Sequence, residues 1–258
     1  MSDFPSLLRA ERTARRLSQQ ALAFEAEIST RHLSFLETGR AQPSRIMIAR
    51  LSDALGLSLR ERAGLFRGAG FEPPVRARPV DAPEMRAVND ALERMMRFQE
   101  PFPAAVLTTS WRLERFNHGF AALMGLAGVE AGRGDDLLAV TLQAPSLRGV
   151  IRDWRASASH LLRRAYADAP DARRRAEVCA LAESEPELEG WRAVADLDES
   201  PVILLRMEAP GVSLAWMSVV ARFGGPADIT AQELMIEFYH PADAETEAFA
   251  REHLAAPD

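Results

Sequence analysis

Residues 17–44 read LSQQALAFEAEISTRHLSFLETGRAQPS, and they contain two short helical patterns separated by a tight turn. Ser18 and Ser29 each precede a run of helix-forming residues, and the apolar side of the first run is expected to consist of Ala21, Leu22 and Phe24. A serine in that position caps a helix because its side chain accepts a hydrogen bond from a backbone N–H of the first turn. Gly39 follows the second run and is typical of the left-handed residue that ends a helix. The stretch therefore predicts a pair of short helices at a sharp angle.

Three further helices are predicted around this pair, so that five short helices precede residue 71. The first begins near Leu7. The fourth follows Pro43 and repeats apolar residues at helical intervals. The fifth begins with Ser58 and Glu61, which are spaced as a capping box.

Residues 70–84 read GFEPPVRARPVDAPE and contain four prolines. Proline removes a backbone donor and disfavours helix at the residue before it, so the segment predicts an extended linker without helix or strand. The predicted organisation is an all-α domain over 1–70, a linker over 71–84 and a second domain over 85–258.

The second domain mixes helices and strands. A helix at 85–98 and two short strands are expected first, followed by a short helix at 117–124 and a helical insertion from Asp136 to about Ala182. Three strands and a terminal helix at 242–254 are expected after the insertion. The strands are predicted at 104–108, 112–116, 202–208, 212–223 and 234–240. The hairpin at 202–223 has a turn at Ala209-Pro210-Gly211 and is the clearest in the chain. An α+β domain with a mostly antiparallel sheet is predicted.

The charges divide unevenly along the chain. Residues 1–78 hold 13 arginines and 8 acidic residues, a net charge of +5, whereas residues 79–258 hold 18 arginines and 29 acidic residues, a net charge of −11. Duplex DNA attracts a basic domain and repels an acidic one. The division predicts that the first domain binds DNA.

Several other classes of protein are disfavoured. No apolar run is long enough to span a membrane, and the first residues lack a signal-peptide pattern, which predicts a cytoplasmic protein. Cys179 is the only cysteine, so no disulfide can form within the chain. The simpler interpretation of Cys179 is a buried thiol, and the alternative is a redox sensor. The five histidines lack metal-ligand spacing, and no nucleophile and base are paired in a motif. We therefore expect no catalytic residue, metal or cofactor.

Residues 17–44 resemble the xenobiotic-response-element family of helix-turn-helix repressors. The signature Leu-Ser-Gln, a small-residue turn, Ile-Ser and Leu-Glu-x-Gly appear in that order. The resemblance implies that the second helix enters the major groove of DNA. It also implies an ion pair between Arg12 and Glu37. One departure is Glu27, which stands where the family often has glycine and must tolerate the turn.

By that resemblance, Gln19 binds a phosphate, Arg31 contacts guanine, and Phe35 meets thymine methyl groups. Arg40 and Arg45 follow the recognition helix and are expected to hold phosphates. The side chains expected at the DNA are Gln19, Ser29, Thr30, Arg31, Ser34, Phe35, Arg40 and Arg45. A homodimer on an inverted repeat is expected, with its contact on the larger domain and the hairpin at 202–223 as the best candidate.

Residues 28–45, with LRER at 59–62 and GAGFEP at 68–73, resemble the MmyB-like group of these regulators. That resemblance implies a PAS-like ligand-binding domain after the linker and a small apolar ligand, such as a fatty acid. Large apolar residues of the second domain are candidates for a ligand cavity, although they equally suit a core. The candidate ligand-binding residues are Phe116, Phe120, Met124, Trp154, Tyr166 and Trp216.

Two other functions stay open at this point. The second domain could be an enzyme anchored by the first, or a protein-interaction module that controls a repressor without a small-molecule ligand. Two arginine runs lie in the acidic domain, at 163–164 and 173–175. They are interpreted as solvated helix faces, or as recognition of an acidic ligand group or partner.

Overall fold

The computed structural model divides the chain into two compact units. Unit 1 contains Met1–Pro79 and Pro226–Thr230, and unit 2 contains Val80–Gly225 and Ala231–Asp258. The residues that the structure describes are 3–193, 202, 204–209 and 211–256. Part of the expected hairpin turn, at Pro210, and residue 203 of the strand expected at 202–208 lie outside the described residues.

Five helices lie within the described residues 3–70, and the all-α architecture expected from the sequence is confirmed. They are α1 (Phe4–Ala14), α2 (Gln19–Glu25), α3 (Thr30–Glu37), α4 (Arg45–Ala54) and α5 (Leu59–Gly68).

The ends of these helices follow from single residues. Ser18, Ser29 and Ser44 each accept a hydrogen bond from the backbone N–H three residues later, and the capping box expected before α5 is present. Gly39 has a φ of 72°, which glycine adopts without steric cost. Glu27 has a φ of 53°, so the turn between α2 and α3 holds a side chain in the left-handed region, as expected.

The core of unit 1 consists of one apolar residue or more from every helix, including Leu8, Leu22, Leu33 and Leu51. The expectation that Phe24 faces inward was wrong, because its side chain is 80% exposed. The inward side of α2 carries Leu22 and Ala23, and Ala26 at the end of the helix is also buried. A helix turns by about 100° per residue, so Phe24 points away from the side that Leu22 and Ala26 share. Phe24 therefore lies on the outer side.

A buried ion pair joins α1 to α3, which confirms the expected pairing of Arg12 with Glu37. The Nε of Arg12 donates to Oε1 of Glu37 at 2.6 Å, and Nη2 donates to Oε2 at 3.0 Å. Gln19 donates to the same Oε2 at 2.8 Å, and Arg12 also donates to the carbonyl of Leu17 at 2.7 Å. The Glu37 side chain is 1% exposed. This network ties the first three helices together.

The pKa of Glu37 reflects the same network. Burial acts to raise it, but the hydrogen bonds from Arg12 and Gln19 outweigh burial and lower the pKa below its ordinary value. A carboxylate whose pKa is lowered by folding stabilises the fold fully above about pH 5. That contribution is lost as the pH falls through the lowered folded-state pKa.

Unit 2 contains the helices and strands expected in the second domain, with a more divided helical insertion. The strands are β1 (Ala104–Thr108), β2 (Leu113–Phe116), β3 (Leu204–Ala209), β4 (Val212–Arg222) and β5 (Leu234–Pro241). The helices are α6 (Arg86–Gln99), α7 (His118–Leu126), α8 (Leu137–Gln143), α9 (Pro145–Val150), α10 (Trp154–Asp168), α11 (Ala172–Glu183) and α13 (Ala244–His253), while α12 (Ile229–Glu233) spans the division between the units. A 3₁₀ turn at Pro83–Met85 lies partly in the segment expected to lack helix, because proline suits the first position of a helical turn.

The described strands form one sheet in the order β2-β1-β5-β4-β3, and every neighbouring pair is antiparallel. One face carries Trp216, Leu107 and Met235, which belong to a large apolar cluster with the helical insertion. The opposite face carries Val106 and Ile236, which pack with α6. The α+β architecture with an antiparallel sheet is therefore confirmed.

The start of α7 is held closely against the residues that lead into β1. The Asn117 side chain accepts from the backbone N–H groups of Ala104 at 2.8 Å and Phe120 at 3.0 Å, and it donates to the carbonyl of Phe102 at 2.8 Å. Gly119 fits here because a Cβ at this position would lie 2.2 Å from the carbonyl oxygen of Pro101. This contact places α7 beside the sheet.

Replacing Glu37 with alanine is expected to destabilise unit 1 by about 3–5 kcal/mol, because Arg12 then lies largely buried without its partner. Urea denaturation of the full chain measures the loss, and hydrogen exchange of the amides in α1 and α3 locates it. Glu25→Ala is the matched control, since Glu25 is exposed in α2. Equal stability of the Glu37→Ala and control proteins would contradict the role given to the pair.

Candidate DNA-recognition surface and ligand cavity

The helix α3 presents one continuous outward stripe. Its buried side consists of Leu33, Leu36 and Glu37. The side chains on the other side are partly or fully exposed, and they are those of Thr30, Arg31, Ser34, Phe35 and Thr38. A helix of eight residues is about 12 Å long, close to the width of the DNA major groove. Four of the side chains expected at the DNA therefore share this surface.

Arg31 and Phe35 act together on that stripe. The guanidinium carbon of Arg31 lies 5.3 Å from the centre of the Phe35 ring. A cation–π contact uses the face of the guanidinium plane and leaves its N–H groups free at the edge. The contact thus orients Arg31 while its hydrogen-bond donors stay available to a base.

The other residues expected at the DNA are placed differently. Ser29 accepts a hydrogen bond from the backbone N–H of His32 at 3.1 Å, and Gln19 uses its amide nitrogen on Glu37. Arg40 is exposed just after α3.

Arg45 makes contacts within unit 1. Its guanidinium carbon lies 5.3 Å from the ring centre of Phe66 and 5.5 Å from that of Phe71, and Nη2 donates to the carbonyl of Glu72 at 3.0 Å. Arg45 therefore holds the chain after α5 in place, whether or not it also meets DNA.

Unit 2 contains a cavity of about 100 Å³ between the sheet and the helical insertion. Apolar side chains from α7, α8, α9, α10 and β3 form most of its wall. They include Phe120, Met124, Leu137, Ile151, Leu161 and Leu205. Trp111 also lines the cavity, and its backbone has a φ of 61°. A residue other than glycine is held in this left-handed region only where the surrounding structure enforces it.

A buried ion pair forms a polar part of the wall. Arg164 on α10 donates through both Nη atoms to the two carboxylate oxygens of Glu237 on β5, at 2.7 and 2.9 Å. Their side chains are 18% and 3% exposed. Ser218 on β4 donates its hydroxyl to Glu237, and the Arg164 guanidinium lies 4.9 Å from the centre of the Trp111 ring. The pair fixes α10 against the middle of the sheet.

The groups beside this pair have shifted pKa values. Burial acts to lower the pKa of Arg164, but its hydrogen bonds and ion pair with Glu237 outweigh burial and raise it. Burial and the positive charges of Arg164 and Arg163 lower the pKa of His160, so its imidazole is neutral at about pH 7. Burial and the charge of Glu237 raise the pKa of the Tyr239 hydroxyl well above its ordinary range.

Two of the six candidate ligand residues, Phe120 and Met124, line the cavity. Phe116 packs beside Phe120 with ring centres 5.7 Å apart but is not part of the wall. Trp216 is fully buried in the apolar core of unit 2 and does not line the cavity either.

The last two candidates lie elsewhere in unit 2. Trp154 lies under the Arg148 guanidinium at 5.3 Å, and Tyr166 meets the edge of Trp191 with ring centres 6.0 Å apart. Neither is part of the cavity wall. Spacing on a helix does not distinguish such core positions from cavity positions, because both are apolar and inward.

The polar residues of the wall were missed in the sequence. The interpretation of the arginine runs as solvated faces was wrong for Arg164 and for Arg174, which is 4% exposed and pairs with Asp136 at 2.5 Å. Arg173 is 81% exposed and fits that interpretation. A signal was present in Glu237, because a lone acid interrupts the apolar strand LMIEFY at 234–239. Nothing local indicated that Arg164 lies opposite it.

Among the described residues, no three histidine, cysteine or acidic side chains come together as a metal site. Over the same part of the chain, no helix has the length and apolar character that crossing a membrane requires.

Comparison with known families agrees with this division of the chain. A family described as the MmyB-like transcription regulator ligand binding domain matches residues 88–252. A helix-turn-helix family matches residues 8–62. No curated protein matches the chain. The first match covers the sheet, the helical insertion and the cavity, and the second covers α3 and its exposed stripe.

Proposed function

Because the chain belongs to the family of MmyB-like transcription regulators, we propose that it binds a specific DNA sequence under the control of a small, largely apolar ligand such as a fatty acid. In this chain a DNA-binding domain is joined to a ligand-binding domain. The observation that carries the proposal is an apolar cavity inside the part of the chain that matches the ligand-binding family. Neither matched family is described as an enzyme. Such a regulator acts where the chromosome lies, in the cytoplasm.

The outward stripe of α3 supports sequence-specific reading. Arg31 supplies a planar fork of donors that suits the O6 and N7 atoms of guanine, and Phe35 beside it supplies an apolar surface that suits a thymine methyl group. Thr30 and Ser34 are small polar neighbours on the same side. Gln19, Ser29, Arg40 and Arg45 are proposed to position the helix through phosphate contacts.

The composition of the cavity wall supports a ligand that is mostly apolar. Ligand sites are usually concave and apolar with a few polar groups that orient the ligand, and this cavity has such groups along α10 and β5. A ligand that binds one conformation of the protein better than another shifts the population toward it. We propose that the ligand changes DNA binding in this way.

We also propose that the protein binds DNA as a homodimer. Unit 2 exposes apolar side chains, among them Phe98 at 79%, Val219 at 42% and Met95 at 40%, and Val219 lies in the hairpin expected to form the contact. One small module buries little surface on DNA, whereas two linked modules raise the effective concentration of the second contact.

Arg31→Ala is expected to relax the preference at one or two base pairs and to weaken binding to the specific site by about 1–3 kcal/mol. Random-site selection followed by affinity measurement on the selected DNA at fixed salt tests it. Arg67→Ala is the matched control, since Arg67 is exposed on α5 and its loss changes the net charge equally. If both variants lose affinity alike on all sequences, Arg31 contacts phosphate rather than a base.

Met124→Trp is expected to fill the cavity and remove ligand binding, because Met124 lines the wall. Native mass spectrometry of the full chain, as purified and after addition of decanol and decanoic acid, measures occupancy. Leu126→Trp is the matched control on the same helix, where Leu126 is 57% exposed. A wild-type protein that stays bare with both additions would instead favour control by a protein partner.

The dimer is expected to bind an inverted repeat far more tightly than it binds a single half-site. The half-site centres of that repeat should lie about 34–36 Å apart, or a multiple of that. Analytical ultracentrifugation at micromolar concentration, with and without DNA, gives the stoichiometry. A monomer that binds a single half-site at full affinity would rule out the dimer.

A further inference from the structure

We propose that the cavity selects a ligand whose polar head is uncharged, such as an alcohol, an amide or an ester, and that the Arg164–Glu237 pair is what excludes an ionised carboxylate. The inference rests on the proposed function and deepens it by naming the chemical class of the ligand. The apolar chain of the proposed fatty-acid-like ligand is kept, and its carboxylate is replaced by an uncharged head group.

The charges around the cavity are already matched. Both Nη atoms of Arg164 are bound to Glu237, and Ser218 gives its hydroxyl hydrogen to the same carboxylate. Behind the pair, Asp168 lies 3.9 Å from the Nε of Arg164 and is itself paired with Arg222. Arg164 and Glu237 are the charged pair among the described residues that line the cavity, and because each is bound to the other, Arg164 is not left over for a ligand anion.

The polar groups that remain available along α10 are uncharged. Ser157 and His160 line the cavity, and their side chains make no hydrogen bond with any residue of the described chain. A neutral imidazole has one donor and one acceptor, and a hydroxyl has both. Together they can pair with a head group that only accepts, as an ester does, or that both donates and accepts, as an alcohol or an amide does. His160 lies one helical turn from Arg164 and Ser157 lies two turns from it.

An ionised carboxylate has two ways to enter, and both are unfavourable. Beside the intact pair it lies close to Glu237 and gives up its hydration without gaining a charged partner. If it displaces Glu237 from Arg164, it leaves a carboxylate that is 3% exposed without its partner. A neutral head group avoids both costs because the pair stays intact.

The test compares ligands of one chain length on the full protein. Isothermal titration calorimetry at about pH 7 measures the affinities of decanol, methyl decanoate and decanoic acid, the last of which is ionised at that pH. Wild-type protein is expected to bind decanol at least about tenfold more tightly than decanoate, a difference of about 1.4 kcal/mol. Decanoate binding as tightly as decanol, or more tightly, overturns the inference and leaves the proposed function standing. If none of the three binds, the proposed apolar ligand fails as well.

Glu237→Gln assigns the selection to the ion pair. Glutamine keeps the size of the side chain and removes the charge, which frees Arg164 for a ligand anion. Decanoate is expected to gain at least about tenfold in affinity relative to decanol. Glu208→Gln is the matched control on β3, where Glu208 is exposed, and it should keep the wild-type preference. A wild-type preference for decanol that persists in Glu237→Gln overturns the role given to the pair.

Discussion

A carboxylate buried from water must be paired, and in each unit of this protein one such carboxylate organises its surroundings. Glu37 lies at the end of α3 and is met by Arg12 from α1, whereas Glu237 lies in the middle of β5 and is met by Arg164 from α10. Each pair is bidentate, which fixes direction as well as distance. A long-range contact of this kind holds a functional helix in one orientation. In unit 1 that helix is α3, and in unit 2 it is α10.

The two pairs differ in what their helices then present. On α3 the pair lies on the inner side, so the outer stripe with Arg31 and Phe35 is left free for a large partner. On α10 the pair itself forms part of a cavity wall, so its charges interact with any ligand in the cavity. The same arginine–carboxylate chemistry supports an external recognition surface in one unit and sets the polarity of an internal one in the other.

Much of unit 1 could be predicted because its boundaries are encoded locally. A serine cap acts on a backbone N–H three residues away, and Gly39 or Glu27 determines one turn through its own φ. The failure at Phe24 shows the limit of that approach: an apolar residue was counted as inward, although the helical rotation placed two alanines there instead. In unit 2 the strands were predicted well because short apolar runs bounded by turn residues are also local signals, whereas the residues that line the cavity were not.

By itself the sequence determined the order of elements, the two-domain organisation that the family matches share, and the helix that presents Arg31 and Phe35, because each depends on residues within a few positions of one another. Only the tertiary structure decided which apolar side chains line the cavity and which fill the core, as Met124 and Trp216 show. It alone also brought Arg164 to Glu237 across 73 positions. Contacts between residues so far apart depend on how the sheet and the helical insertion pack, and no local pattern carries that information.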